Sequence, residues 1–164
     1  MNTRTTRQIA TILNMHPSRI EQWISRGQFL PKIFAEKGLG REWTLDEAIR
    51  LALFVHLVDV VSMDPKVAGS LTQIGVHGFA DANAFFVAHW VPMGGLSNWA
   101  GNIVRDRDLG THLTSGCEYP KVLAAGHSPE IIAENSKPNL GPAHAAVIVD
   151  LDRIETDLRA DWEA

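Results

Sequence analysis

This 164-residue chain offers little for covalent cross-linking or for crossing a bilayer. It has a single cysteine, Cys117, so no intramolecular disulfide framework can form. That suits a reducing compartment. The opening stretch, MNTRTTRQIATILN, lacks the apolar centre of a secretory leader. The most apolar run, LALFVHLVDVV (51–61), is broken by His56 and Asp59 and falls well short of the roughly 20 residues of a membrane span. The expectation is a cytoplasmic protein with no membrane segment. Hydrophobic residues make up 45% and charged residues 21% of the chain, which excludes a disordered polyelectrolyte and fits a packed core.

Chemical signatures are equally sparse. His77, His89, His112, His127, His144 and Cys117 fall in the second half, but none form a His-x₃-His or Cys-x₂-Cys pair, the usual mark of a structural zinc site. TSGCEYP around Cys117 carries no nucleophile signature. MGG and GLSNWAG do not follow the strand–loop–helix order of a phosphate loop. No metal, cofactor or catalytic residue is therefore expected.

What the chain does have is polarity of charge. The net charge is −4, but residues 1–41 hold seven basic and two acidic residues, while residues 76–164 hold six basic and twelve acidic ones. A basic head of +5 joined to an acidic body of −6 is the distribution of a DNA-binding module attached to a part with another task.

The head is also the most patterned part. TTRQIATILN places threonines where they can cap a helix and spaces Ile9, Ile12 and Leu13 helically. NMH is a short turn. Pro17 suits the first position of a second helix running to about Arg26 and stopping at Gly27. Counting about 100° per residue from Arg19, Trp23, Ile20 and Ile24 lie near 40°, 100° and 140°, and Ser18, Gln22, Arg26 and Arg19 span roughly 260° to 0°. One face is bulky and apolar; the other offers Arg, which pairs with guanine, and Gln, which pairs with adenine.

FLPKIF and REW are expected to form a small basic hairpin, with Pro31 confining the first strand to an edge. TLDE (44–47) is a capping box opening a helix to about Ser62, apolar on nearly every side and so expected to be buried all round. MDPKVAGSLTQIG adds a short helix capped near Asp64. Helix, turn, helix, basic hairpin and capped helix is the order of a winged helix-turn-helix.

The residues TTRQIATILNMHPSRIEQWISRGQFLP…GLGREWTLDEAIRL resemble the DNA-binding head of MerR-type regulators. The resemblance rests on Ile9-Ala10, Met15-His16-Pro17, Trp23, Gly27 and Phe29-Leu30, then on Gly40, Arg41, Trp43, Thr44 and Glu47, and covers about residues 3–75. Phage excisionases use related heads. The family's recognition helix commonly has an arginine where Glu21 stands here. The long dimerisation helix that follows the family's head has no counterpart, since no sustained heptad run occurs.

The expected fold is α+β: a winged helix-turn-helix over 1–75, then a small mixed α/β module over 76–164. Within the latter, 79–91 reads equally as helix or buried strand, 96–114 as short mixed pieces and 136–142 as loop. Residues 145–151 read as strand, and the C-terminus as a helix with Leu151, Ile154, Leu158 and Trp162 on one face. Ser18, Arg19, Gln22 and Arg26 are the candidates for groove contacts, and Arg7, Lys32, Lys37 and Arg41 for phosphates. Arg41 has a competing role, bracing the hairpin against Glu36 or Glu47. Trp23 and Trp43 are expected in the core. The expected partners are double-stranded DNA, a second copy of the chain, and a small-molecule or protein effector at the C-terminal module. The expected function is transcriptional regulation. An excisionase-like architectural role, or an interaction module whose head has lost DNA binding, are the alternatives.

Overall fold

A computed structural model describes residues 3–32, 40–73, 83–93, 96–115 and 145–163. The protein is α+β and divides into two compact units, Met1–Ala80 with Asp152–Ala164, and Asp81–Leu151. The C-terminal helix thus groups with the head, whereas the sequence suggested a simple division near residue 75.

The first unit begins with a two-residue strand, β1 (Arg4–Thr5), followed at once by α1 (Thr6–Ile12). Thr5 and Gln8 form a reciprocal capping box: the Thr5 hydroxyl accepts from the Gln8 amide, and the Gln8 side chain accepts from the Thr5 amide at 2.8 Å. Leu13 ends α1, Asn14 takes a left-handed conformation (φ 50°), and the Met15 amide donates back to the Ala10 carbonyl at 2.8 Å. α2 (Pro17–Ser25) then starts with proline at its first position and His16 as its cap. It stops by the same device: Gly27 has φ 64°, and the Gln28 amide reaches the Trp23 carbonyl at 2.8 Å. Both stops satisfy end carbonyls, and the first sets the four-residue connection between α1 and α2.

The returning strand β2 (Glu42–Trp43) pairs antiparallel with β1, Arg4 opposite Trp43 and Thr5 opposite Glu42. This corrects the expected hairpin. Of REW, Glu42–Trp43 form the strand, its described partner is the N-terminus, and residues 29–32 are not a strand. Phe29 is buried side-chain first in the core, and Pro31 has no N–H to give a ladder. Residues 33–39, which carry Lys37 and the expected hairpin tip, lie outside the described residues.

α3 (Leu45–Val55) is capped by Thr44, whose hydroxyl accepts from the Glu47 amide. The capping box is only half made. The Glu47 carboxylate, instead of returning to Thr44, is buried: it accepts from the Lys32 amide at 3.0 Å and from Arg50 Nη1 at 2.6 Å. Arg50 is 1% exposed and also donates to the carbonyls of Thr72 (2.8 Å) and Leu30 (3.2 Å). A side-chain ion pair thereby ties three backbone segments together.

The expected helix to Ser62 changes register at His56. Residues His56–Val60 form a π-helical turn, closed by the Val61 amide on the His56 carbonyl at 3.2 Å. Ser62 (φ 59°) ends it, with the Met63 amide on the Leu57 carbonyl. The run is also not buried all round: Leu57 is enclosed, but Val60 is 69% exposed. α4 (Pro65–Leu71) follows, capped by Asp64, which accepts from the Lys66 and Val67 amides.

The core of this unit is aromatic. Trp23 meets Phe54 edge-on at 5.0 Å, Phe54 meets Phe29 at 5.3 Å, and Phe29 stacks on Trp43 at 6.2 Å. Trp43 Nε1 donates to the Thr6 hydroxyl at 3.1 Å, so its polar tip is satisfied. Ile9, Ile20, Leu51 and Leu57 are fully buried with them. Both tryptophans are core anchors, as their apolar positions in the sequence required.

The second unit is a three-stranded antiparallel sheet of order β4–β3–β5 with one described helix. β3 (Ala84–Met93) resolves residues 84–91 of the ambiguous stretch as strand, and residues 79–82 lie outside the described residues. It pairs with β4 (Leu96–Arg105) from Ala84 opposite Arg105 to Met93 opposite Leu96, and with β5 (Ala145–Asp150) from Phe85 opposite Asp150 to Trp90 opposite Ala145. The expected mixed pieces over 96–114 are this ten-residue strand and α5 (Asp106–Ser115). On the central strand, Phe86, Val87, Ala88 and His89 are consecutive and buried, so both faces of β3 are covered. α6 (Leu151–Glu163) begins directly after β5. Its Leu151, Leu158 and Trp162 are buried and Ile154 is partly so. Within the first unit, Arg4 donates to the Trp162 carbonyl and lies 5.7 Å from its ring centroid.

Candidate nucleic-acid interface

α2 separates its side chains cleanly. Ile20 and Trp23 are buried, while Ser18, Arg19, Gln22 and Arg26 are exposed. The four groove candidates therefore share the outward face of a helix held by its apolar side and fixed at both ends. Ser18 is partly engaged, with its hydroxyl 2.7 Å from His16 Nδ1. Among the described residues, the Gln22 and Arg26 side chains make no hydrogen bond or ion pair. Glu21 is exposed on the same helix.

Arg19 is different. Its Nη1 donates to Asp59 Oδ2 at 2.8 Å and its Nη2 to Asp59 Oδ1, a two-pronged pair. Its guanidinium also lies 4.5 Å from the Trp23 ring centroid. The side chains are 45% and 32% exposed, so water screens the pair. Such a pair contributes roughly 0.2–1 kcal/mol, and an exposed cation–π contact about 0.5–1 kcal/mol. A two-bond contact from arginine to guanine discriminates by about 1–3 kcal/mol. The two sets of contacts are close in magnitude. Asp59 was visible in the sequence only as the acidic break in an apolar run; its pairing with a residue 40 positions earlier was not.

The phosphate candidates are spread over three places. Arg7 is exposed on α1, and Lys32 is exposed just before residue 33, with its amide held by Glu47. Arg41 is partly buried, 6.0 Å from the Trp43 centroid. Bracing by Glu47 is not its role, because that carboxylate serves Arg50 and Lys32. Lys37 and Glu36 lie outside the described residues.

The second unit holds an unusual pair. His89 is fully buried, with its ring 5.4 Å from that of His112, and neither His89 nitrogen has a hydrogen-bond partner among the described residues. Burial first, and the neighbouring His112 second, lower the His89 pKa to about 4, so the ring is neutral at physiological pH. Burial also lowers the pKa of His56. Among the described residues no cluster of three or more His, Cys, Asp or Glu is placed to hold a metal, and no helix is long and apolar enough to cross a membrane. His77, Cys117, His127 and His144 lie outside them. No protein-family model matches the chain, and no curated protein is significantly similar to it.

Proposed function

We propose that the chain is a sequence-specific DNA-binding regulator of bacterial or phage type, acting in the cytoplasm, with a MerR-like winged head. α2 would enter the major groove, with Gln22 and Arg26 reading base edges beside Ser18 and Arg19. Arg7, Lys32, Lys37 and Arg41 would contact phosphates. The observation that carries this reading is the division of α2, which has Ile20 and Trp23 buried on one side and polar, hydrogen-bonding side chains exposed on the other. One head spans only a few base pairs, so the working form would be a homodimer on two half-sites. The second unit would serve dimerisation or an effector.

The test is binding of mixed genomic DNA fragments at two salt concentrations. With about four phosphates neutralised per head, affinity should fall on the order of 10²-fold between roughly 50 and 200 mM salt. Arg26→Ala should weaken binding and change the sequences recovered by selection. No binding at low salt refutes the reading and favours an interaction module, which exposed Glu21 and the acidic net charge would suit. Clustered repeats among the selected sites, instead of paired half-sites, would indicate an excision factor.

A further inference from the structure

We infer that Asp59 is a built-in competitor for the DNA: it holds Arg19 in a latched position and lowers the affinity of the head for a duplex. The inference rests on the DNA-binding reading of α2. Three observations carry it. Arg19 lies on the exposed face of α2 with Gln22 and Arg26, yet it is the one whose guanidinium is gripped by a carboxylate through two bonds. The gripped guanidinium also lies 4.5 Å from the Trp23 ring centroid, a second contact that favours the same position. The carboxylate comes from a π-helical turn, a rare geometry, immediately after a regular α-helix. Asp59 belongs to that widened turn, whose closing bond runs from the Val61 amide to the His56 carbonyl.

A latched Arg19 cannot neutralise a phosphate with the two nitrogens that Asp59 occupies. Asp59 adds a negative charge beside the helix, which further disfavours unselective binding. A phosphate and a guanine edge each offer two acceptors in the geometry of the carboxylate, and either must displace it to engage Arg19. The latch therefore penalises every contact through which Arg19 would hold DNA.

The experiment compares wild type, Asp59→Asn, Arg19→Ala and the double variant on labelled mixed-sequence duplexes across a salt series. Asp59→Asn should bind about tenfold tighter, and its log–log salt slope should steepen by about one. In the Arg19→Ala background the same change should tighten binding by no more than about threefold, the effect of removing one surface charge. Asp59→Ala serves as a second release variant, since asparagine can keep one bond to Arg19. Equal gains in both backgrounds, or no gain, overturn the latch while leaving DNA binding standing. If none of the four proteins binds at low salt, the DNA reading fails. The latch itself is also read without DNA: arginine side-chain nitrogen spectra should show hindered guanidinium rotation for Arg19 in wild type, lost in Asp59→Ala. Free rotation in wild type refutes it.

Discussion

Arg50→Met is the substitution whose cost follows most directly from the structure. It deletes three donors at once, to Glu47 Oε1, the Thr72 carbonyl and the Leu30 carbonyl, and removes a guanidinium 5.2 Å from the Phe29 centroid. The volume is roughly kept, so the loss is electrostatic. Glu47, 4% exposed, is left as a buried carboxylate with one remaining amide donor, from Lys32. Breaking a buried pair from one side costs about 3–5 kcal/mol, against a total stability of about 5–15 kcal/mol for a domain. Glu47→Gln with Arg50→Met removes the stranded charge and keeps an acceptor for the Lys32 amide. The double variant should therefore be more stable than Arg50→Met by at least about 1 kcal/mol, a coupling that a double-mutant cycle isolates. Urea unfolding followed by tryptophan fluorescence measures all four corners, because Trp23 and Trp43 sit in this core. Hydrogen exchange of the Lys32 amide should accelerate in Arg50→Met, since its acceptor is no longer positioned. A cost below about 1 kcal/mol, or a double variant no better than the single, would refute the reasoning that the pair is a buried clamp rather than a screened one.

Two further predictions concern packing and pH. Gly69 in α4 is pressed against the turn after α2: a Cβ there would stand 1.7 Å from the Gln28 carbonyl oxygen. Gly69→Ala gains about 1 kcal/mol in helix propensity but forces two backbones apart, so a net loss of about 2 kcal/mol or more is expected in the same urea assay. An unchanged or raised midpoint would show that α4 does not pack there. His89 is neutral in the fold, with a pKa near 4, and takes up a proton near 6.5 when unfolded. The unfolded state binds the extra proton, so stability should be full above about pH 6.5 and fall by about 3 kcal/mol as pH drops toward 4. His89→Leu should flatten that fall; an equal fall in the variant would assign the acid sensitivity elsewhere.

The local signals in the sequence were sufficient wherever structure is locally determined. Thr5, Pro17, Gly27 and Asp64 each mark a helix end, because capping depends on residues within one turn. Trp23 and Trp43 were legible as core because burial follows helical and strand period. What failed were choices of partner. REW looked like the return of the nearest apolar stretch, but Phe29 gives its side chain to the core and the N-terminus supplies the strand instead. Glu47 fitted a capping box, but a buried arginine three residues on offers a carboxylate more than a backbone amide does. The 79–91 stretch could not be resolved, since a strand buried on both faces has no alternation to read.

The fold also changes the weight of the charge asymmetry that first pointed to DNA. A count of +5 over residues 1–41 treats every cation as available, but the fold allocates them unequally. Arg4 is drawn to the Trp162 carbonyl, and Arg19 to Asp59. Arg7, Arg26 and Lys32 remain exposed among the described residues. A charge count from sequence therefore overstates the cations this head leaves available. It also misses the part that is adjustable, because the cation best placed beside Gln22 and Arg26 is the one with a carboxylate competing for it. A salt slope smaller than the cation count, which rises when Asp59 is neutralised, is the signature expected of such an allocation.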